Sequence, residues 1–290
     1  MPIHPTAQID SSAIIDETAH VGPYCIIGPN VVLEADVTLK SHVIIEENTT
    51  LRKNVSVASM TVLGGAPQDI SYHNEATYLE IDENTRIGEY VTIHRSTKTD
   101  IPTRVGKDCF LMSYSHVGHD CHVGNNVVLA NNTQLAGHVK VDDFVIISAM
   151  TGVHQHVHIG TMVMVGAYSA VLKDPPPFSL IDGCRPNILK GLNRVGLRRR
   201  GISAEDRMII KKAYQVLFHS QLNLTQGIVE LENVVPMDNP YVVELLNFIK
   251  SSKRGVVSRT AHEGYFEELT NSKKVKFNQG TTDDLMALQG

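Results

Sequence analysis

Residues 105–129 read VGKDCFLMSYSHVGHDCHVGNNVVL, with an aliphatic residue at every sixth position: Val105, Leu111, Val117, Val123 and Leu129. The same phase runs back to Ile3 and on to Val171. Of the 29 positions reached in steps of six from 3 to 171, 26 are Ile, Leu or Val, and the exceptions are Asp69, Glu75 and Thr99. An amphipathic helix would repeat every 3.6 residues and a half-buried strand every two. Here the period is six. Glycine often follows the aliphatic residue directly (Gly22, Gly28, Gly88, Gly106, Gly118, Gly124, Gly160, Gly166), and small or β-branched residues recur four positions after it (Ala19, Val31, Val43, Val55, Cys121, Thr133). This is the pattern of a parallel β-helix built from hexapeptides, in which short strands alternate with turns. Three hexapeptides close one triangular coil of about 18 residues, and the coils stack at about 4.8 Å, the spacing of hydrogen-bonded strands. The period predicts a mainly β fold but does not set the hand of the helix.

The three exceptions mark two loops that leave the prism, near 64–78 (GGAPQDISYHNEATY) and near 96–104 (STKTDIPTR). Both preserve the phase of the repeat, and loops on a rigid scaffold are favoured places for binding residues. The repeat stops at DPPPF, residues 174–178. Beyond it the chain turns helical. Ser203 and Asp206 form a capping box, and Ile209, Ile210, Ala213, Tyr214, Leu217 and Phe218 follow a helical stripe. A second amphipathic run covers 225–234. A third begins with Asn239 as cap and Pro240 in the first turn, carries Val243, Leu246 and Ile249 inward, and ends near Gly255. The predicted organisation is a β-helix over 1–184, a basic connector and small α-helical C-terminal domain over 185–262, and a polar tail over 263–290.

Stacking at 18 residues makes a prediction about the histidines. His119 lies below Gly137 and Gly137 below Gln155; Asp120 lies below His138 and His138 below His156. SHVGHD, AGHV and VHQH then form one polar surface across three coils, which a bare structural prism does not need. His116 and His122 share one position of their hexapeptides and His119 falls midway, so the three cannot face one point as a zinc site within one chain. His20, His42, His73 and His219 read as surface or corner residues.

The bulk properties narrow the function. A net charge of −5 gives no global case for nucleic acid or an anionic membrane. No apolar run is long enough to span a bilayer, and MPIHPTAQID lacks the features of a signal peptide. Cys25, Cys109, Cys121 and Cys184 show no metal-ligand spacing and read as reduced, cytosolic thiols. Against the acidic total, the segment between Gly183 and Ala204 holds six Arg or Lys and no acid, and Arg207, Lys211 and Lys212 follow. Such a strip is suited to docking an acidic protein and steering its encounter.

These motifs together resemble the UDP-N-acetylglucosamine O-acyltransferases. The matching stretches are HPTA, IGPNV, LKSHVII, PQD, VTIHRST, SHVGHDCHVGN, LANN, LAGHVKVDDFVII, VHQ, VMVGA and GLNRVGLRRRGIS, spread from residue 4 to about 255. The resemblance implies a left-handed β-helix. It also implies transfer of an (R)-3-hydroxyacyl group from acyl carrier protein to the 3-hydroxyl of UDP-GlcNAc, the first step of lipid A synthesis. A cytoplasmic homotrimer with clefts between prisms, and no cofactor or metal, are implied as well. By the same resemblance His119 is the general base, Asp120 orients or polarises its imidazole, and the Gly137 N–H stabilises the oxyanion. Gln68, Asp69, His116, His138, His154, Gln155, Asn193 and Arg199 would bind the sugar nucleotide. Ala167 would gauge acyl length, predicting a somewhat shortened or mixed preference. Lys190, Arg194, Arg198 and Arg200 would dock the carrier protein. Ser71 and Val195 stand where the family often has a lysine and, in some members, a glutamate.

Three other assignments compete. The same chemistry on a 3-amino UDP-sugar would give an amide. The γ-class carbonic anhydrases share the prism and bind zinc between subunits through three histidines, but AGH and the arginine-rich connector have no purpose there. The third is a non-catalytic scaffold.

Overall fold

A computed structural model describes residues 3–184 and 187–258. The expected polar tail at 263–290 lies outside the described residues. Among the described residues, short strands, mostly of two residues and spaced by six outside the loops, assemble into three sheets of nine, eight and ten strands, one on each side of a triangular prism and parallel but for the last strand. The hexapeptide aliphatics point inward. Those from Val21 to Val171 are buried, whereas Ile3 and Ile9 at the open first coil are 37% exposed.

The corners explain why a chain of such short strands turns at every sixth residue. From Tyr24 to Tyr168, outside the two loops, the residue three after each aliphatic adopts φ near +60°, and the occupants include Asn30, Asp36, Asn54, Asn126, His138 and Tyr168. For an L-residue that conformation costs roughly 1–2 kcal/mol, least for Asn and Asp. It is offset by backbone bonds to the neighbouring coil, such as Asn126 N–H to Lys107 C=O at 2.8 Å and His138 N–H to His119 C=O at 2.9 Å.

The two loops fall where the phase breaks predicted them, and they alter the count. Val62 pairs with Thr92, a separation of 30, because the first loop adds twelve residues to the 18. Thr92 pairs with His116, a separation of 24, because the second adds six. Beyond the loops the spacing returns to 18, as in His116 with Gln134 and Gln134 with Gly152.

The prism continues past the prolines. Ser179–Asp182 adds one more parallel strand, pairing Leu180 with Met164, and Ile188–Leu192 then closes that sheet antiparallel. Four helices follow: α1 (Arg194–Arg199), α2 (Ala204–His219), α3 (Leu224–Leu231) and α4 (Pro240–Ser251). Ser203 caps α2 through Asp206 N–H, and Asn239 with Pro240 opens α4, both as expected. The six-residue α1 was read only as connector. The inward face of α4 also differs from expectation. Val242, Leu245, Leu246 and Ile249 are buried while Val243 is 40% exposed, because the stripe follows i, i+3, i+4, i+7 rather than steps of three alone.

Asp174 ties the helices to the end of the prism. It is buried and accepts from His158 N–H at 2.9 Å and from the Ser252 hydroxyl at 2.6 Å. The His158 ring also packs on Phe248, with centroids 4.6 Å apart.

Candidate active site

The corner that follows the strands His116–Val117, Gln134–Leu135 and Gly152–Val153 carries the histidine cluster. His119 Nδ1 and Asp120 Oδ2 are 2.7 Å apart. Side chains of adjacent residues in an extended strand point to opposite faces. Here Asp120 has φ +59°, and the turn brings the two side chains together. With Nδ1–H donated to the carboxylate, Nε2 is left as the basic nitrogen.

The second loop builds the support for this pair. The Ser96 hydroxyl donates to Asp120 Oδ1 at 2.6 Å, Thr97 N–H donates to it at 3.0 Å, and the Thr97 hydroxyl reaches Oδ2 at 3.0 Å. Burial works against ionisation of Asp120, but the bonds from Ser96, His119 and Thr97 outweigh it and hold the carboxyl below its ordinary value. Ser96 and Thr97 were not singled out from sequence. Their signals are their place at the end of the matching stretch VTIHRST and at the start of a phase-breaking loop.

Gly137 stands directly over His119. A Cβ added there would lie 2.5 Å from Cε1 and Nε2 of the ring. Among the described residues the Gly137 N–H donates no backbone hydrogen bond, while its C=O accepts from His156 N–H at 3.2 Å. The stack predicted from the 18-residue spacing is present. The His138 ring lies edge-on to His119, with centroids 5.1 Å apart, and stacks on His156 at 4.5 Å and 12°. Burial holds His138 below the ordinary histidine value despite the opposing pull of Asp120.

His116 lies on the strand leading into this corner and bonds the Thr92 hydroxyl at 2.7 Å through Nδ1. Burial, reinforced by the charges of His94 and His119, lowers it to about 4, so it is a neutral imidazole near pH 7. His122, on the next face, is exposed and takes no part. The first loop folds back over the same corner. A carboxylate oxygen of Asp69 and one ring nitrogen each of His119 and His138 lie within 4.8 Å of one another. Ser71 donates to Asp69 through its N–H at 2.8 Å and its hydroxyl at 2.7 Å, which keeps the carboxyl below its ordinary value. His154 and Gln155 are exposed at this corner two turns on, and Gln68 is exposed in the loop.

The remaining expected site residues do not join this group within one chain. Asn193 donates to Met162 C=O at 2.9 Å, and the Arg200 guanidinium lies 4.3 Å over the Phe144 ring. Met162 and Phe144 belong to the next corner, across one face of the prism, and α1 with Arg199 follows there. Ala167 is exposed at the third corner, beside Tyr168. Lys190, Arg194 and Arg198 line a groove of about 900 Å³ that they share with Arg207 and Lys211, from which Arg200 is absent.

The fold and this corner define the class: a transferase built on hexapeptide repeats wound into a left-handed β-helix. The bacterial transferase hexapeptide description matches residues 102–137, and the description "Udp N-acetylglucosamine O-acyltransferase; Domain 2" matches residues 174–257. Over 201 residues the chain is 42% identical to the acyl-[acyl-carrier-protein]–UDP-N-acetylglucosamine O-acyltransferase of Nautilia profundicola, covering 69% of this chain and 76% of that one. It is 43% identical over 200 residues to the enzyme of the same name from Burkholderia orbicola, with 67% and 76% covered. The crystal structure of the UDP-N-acetylglucosamine O-acyltransferase from Moraxella catarrhalis superposes with a TM-score of 0.84 at 40% identity, covering 89% of this chain and all of that one. The chain belongs to the UDP-N-acetylglucosamine O-acyltransferase family.

Proposed function

We propose that the protein transfers an (R)-3-hydroxyacyl group from acyl carrier protein to the 3-hydroxyl of UDP-N-acetylglucosamine, the first step of lipid A biosynthesis. The observation that carries this reading is the Asp120–His119 pair facing Gly137, within a chain of this family. A sugar hydroxyl is a poor nucleophile near neutral pH, and a positioned imidazole makes it competent. The hydroxyl oxygen attacks the thioester carbonyl while its proton passes to His119 Nε2. Asp120, held by Ser96 and Thr97, supports the imidazolium that forms. The Gly137 N–H, which is unengaged, is suited to the oxyanion. The C–S bond then breaks and the imidazolium returns its proton to the leaving thiolate. Every group in this sequence belongs to the chain or the two substrates, so no cofactor is needed.

Gln68, Asp69, His116, His138, His154 and Gln155 would hold the sugar, with Asn193 and Arg199 on the nucleotide and diphosphate. The latter pair sits one corner away, so the reading requires a neighbouring copy to supply it, as in a cyclic homotrimer. An exposed apolar edge supports such an assembly. Tyr24, Met60, Tyr90, Tyr114, Met150 and Tyr168 recur along the third corner at 43% to 71% exposure. Stripes of this kind mark protein interfaces. Ala167 on that edge is read as the acyl-length gauge. Lys190, Arg194 and Arg198, with Arg207 and Lys211, form a basic groove suited to the acidic carrier protein. Arg200, stacked on Phe144, lies apart from that groove. We assign the enzyme to the cytoplasm, in keeping with free thiols at Cys25, Cys109, Cys121 and Cys184. Among the described residues no helix is long and apolar enough to cross a membrane.

The test is an acyl-transfer assay with 3-hydroxyacyl carrier proteins of several lengths, offered UDP-GlcNAc or its 3-amino analogue. O-acylation that favours shorter or mixed chains is the expected result. Transfer to the amino sugar alone would move the enzyme to amide formation, and a strict preference for a long chain would remove the role given to Ala167.

A further inference from the structure

Asp69, His119 and His138 bring three metal-type donors to one point, one carboxylate oxygen and two ring nitrogens within 4.8 Å of one another. We propose that these three residues form an inhibitory zinc site, in which a zinc ion occupies the basic nitrogen of His119 and stops acyl transfer.

The donor set fits zinc better than magnesium or calcium, which prefer oxygen ligands. Zinc bound at about 2.0–2.2 Å sets its ligand atoms roughly 3.4 Å apart, so the cluster has to close by up to about 1.4 Å. Asp69 is the member placed to make that movement. It lies on the first loop rather than on a coil, and among the described residues its carboxylate accepts hydrogen bonds only from Ser71. His119 is prepared in the way ligating histidines usually are. Asp120 takes Nδ1–H at 2.7 Å and is itself fixed by Ser96 and Thr97. This carboxylate–histidine arrangement sets the tautomer and turns Nε2 outward as the ligand atom. His138 is held by stacking on His156. Three protein ligands leave a fourth position for water or substrate, the mark of an open site rather than a structural one.

The zinc site stands on the geometry of the three donors, whereas the inhibitory effect rests on the reading of His119 as general base. The experiment separates the two. The full-length protein, carrying Cys184→Ser to remove an exposed thiol, is titrated with Zn²⁺ against a chromophoric zinc indicator. Asp69→Asn and His138→Gln are compared with His122→Ala, a change on another face. Acyl transfer is followed over the same zinc range and again after chelation. The expected result is one zinc per chain, affinity reduced about tenfold or more by Asp69→Asn and by His138→Gln, none of that loss with His122→Ala, and transfer that falls with occupancy and returns on chelation. Absence of binding, or binding indifferent to Asp69 and His138, would overturn the site and leave the His119 mechanism standing. Zinc bound at these residues without loss of transfer would overturn both the inhibition and the role of His119.

Discussion

Gly137 lies one coil above His119 with no room for a side chain between them: a Cβ would stand 2.5 Å from Cε1 and Nε2 of the imidazole. The glycine is required here by its neighbour's ring rather than by its own backbone. The same closeness sets the Gly137 backbone, whose N–H donates no hydrogen bond among the described residues, against the His119 ring, an arrangement suited to acyl transfer through a tetrahedral intermediate.

Gly137→Ala tests that relationship. The added methyl has to push the His119 ring away by about 1 Å to reach ordinary contact distance, while the coil hydrogen bonds are expected to stay in place. Transfer is expected to fall about 100-fold, since small misplacements of catalytic groups cost that much. Far-UV circular dichroism and Tm should be close to wild type. Full activity with alanine would show that the ring does not work where it sits.

The Asp120 carboxylate should matter through His119. Asp120→Asn puts an amide where Nδ1–H needs an acceptor. A fall in kcat of about 100-fold or more with little change in KM for UDP-GlcNAc is expected, as for other carboxylates that set a catalytic tautomer. Ser96→Ala should lower kcat more mildly, because Thr97 still holds the carboxylate. A change in KM alone would assign Asp120 to substrate binding.

Much of this was legible in the sequence, and the limits have physical causes. The period of six fixed the inward aliphatics from Val21 to Val171 and placed Gly137 over His119, because strand stacking converts spacing into height. The same rule fails across the loops, where Val62 meets Thr92 at 30 residues and Thr92 meets His116 at 24. Loops have no periodicity, so the grip of Ser96 and Thr97 on Asp120 carried no pattern. The convergence of His119 and Asp120 depends on a positive φ that the extended-strand rule does not anticipate, although the Asn and Asp at equivalent corners signal it. On α4 Leu246 and Ile249 face inward as expected, but Val242 rather than Val243 is buried.

Arg95 is expected to hold the first loop in place. It is 2% exposed, pairs with Glu47 at 2.5 Å, donates to Gly64 C=O, and reaches the Tyr72 hydroxyl at 3.3 Å. Tyr72→Phe removes the last contact, together with the bond from the Tyr72 hydroxyl to Glu75 C=O, and should raise KM for UDP-GlcNAc a few-fold with kcat nearly unchanged, because Gln68 and Asp69 ride on that loop. Arg95→Ala should cost on the order of 1–3 kcal/mol in denaturant unfolding, chiefly because the Gly64 C=O loses its donor, whereas the half-exposed Glu47 can turn to water. Equal KM values for Tyr72→Phe and wild type would detach the loop from this anchor.

Stability should depend on pH through His116. Its folded value is about 4, below the ordinary value of 6.5, because burial disfavours its charge. Between those values the unfolded chain binds a proton that the folded chain does not, so stability is lost as pH falls from about 6.5 to 4 and the loss levels off below. Replacing His116 by Gln removes that term, on the order of 3 kcal/mol at its largest. Urea unfolding at pH 7 and pH 4.5 should therefore show a smaller drop for His116→Gln than for wild type. An identical drop would mean that His116 is not buried as a neutral imidazole.

In the proposed homotrimer one site draws on corners of two chains, His119 from one and Asn193 with Arg199 from its neighbour. Mixed assemblies test this most directly. His119→Ala and the double variant Asn193→Ala/Arg199→Ala are each expected to be inactive. Co-assembled at equal amounts in a random cyclic trimer, roughly one site in four would unite an intact His119 with an intact neighbouring pair. Recovery of about a quarter of wild-type activity is the result this account predicts. A mixture as inactive as its components would place all these residues in the site of a single chain and contradict it.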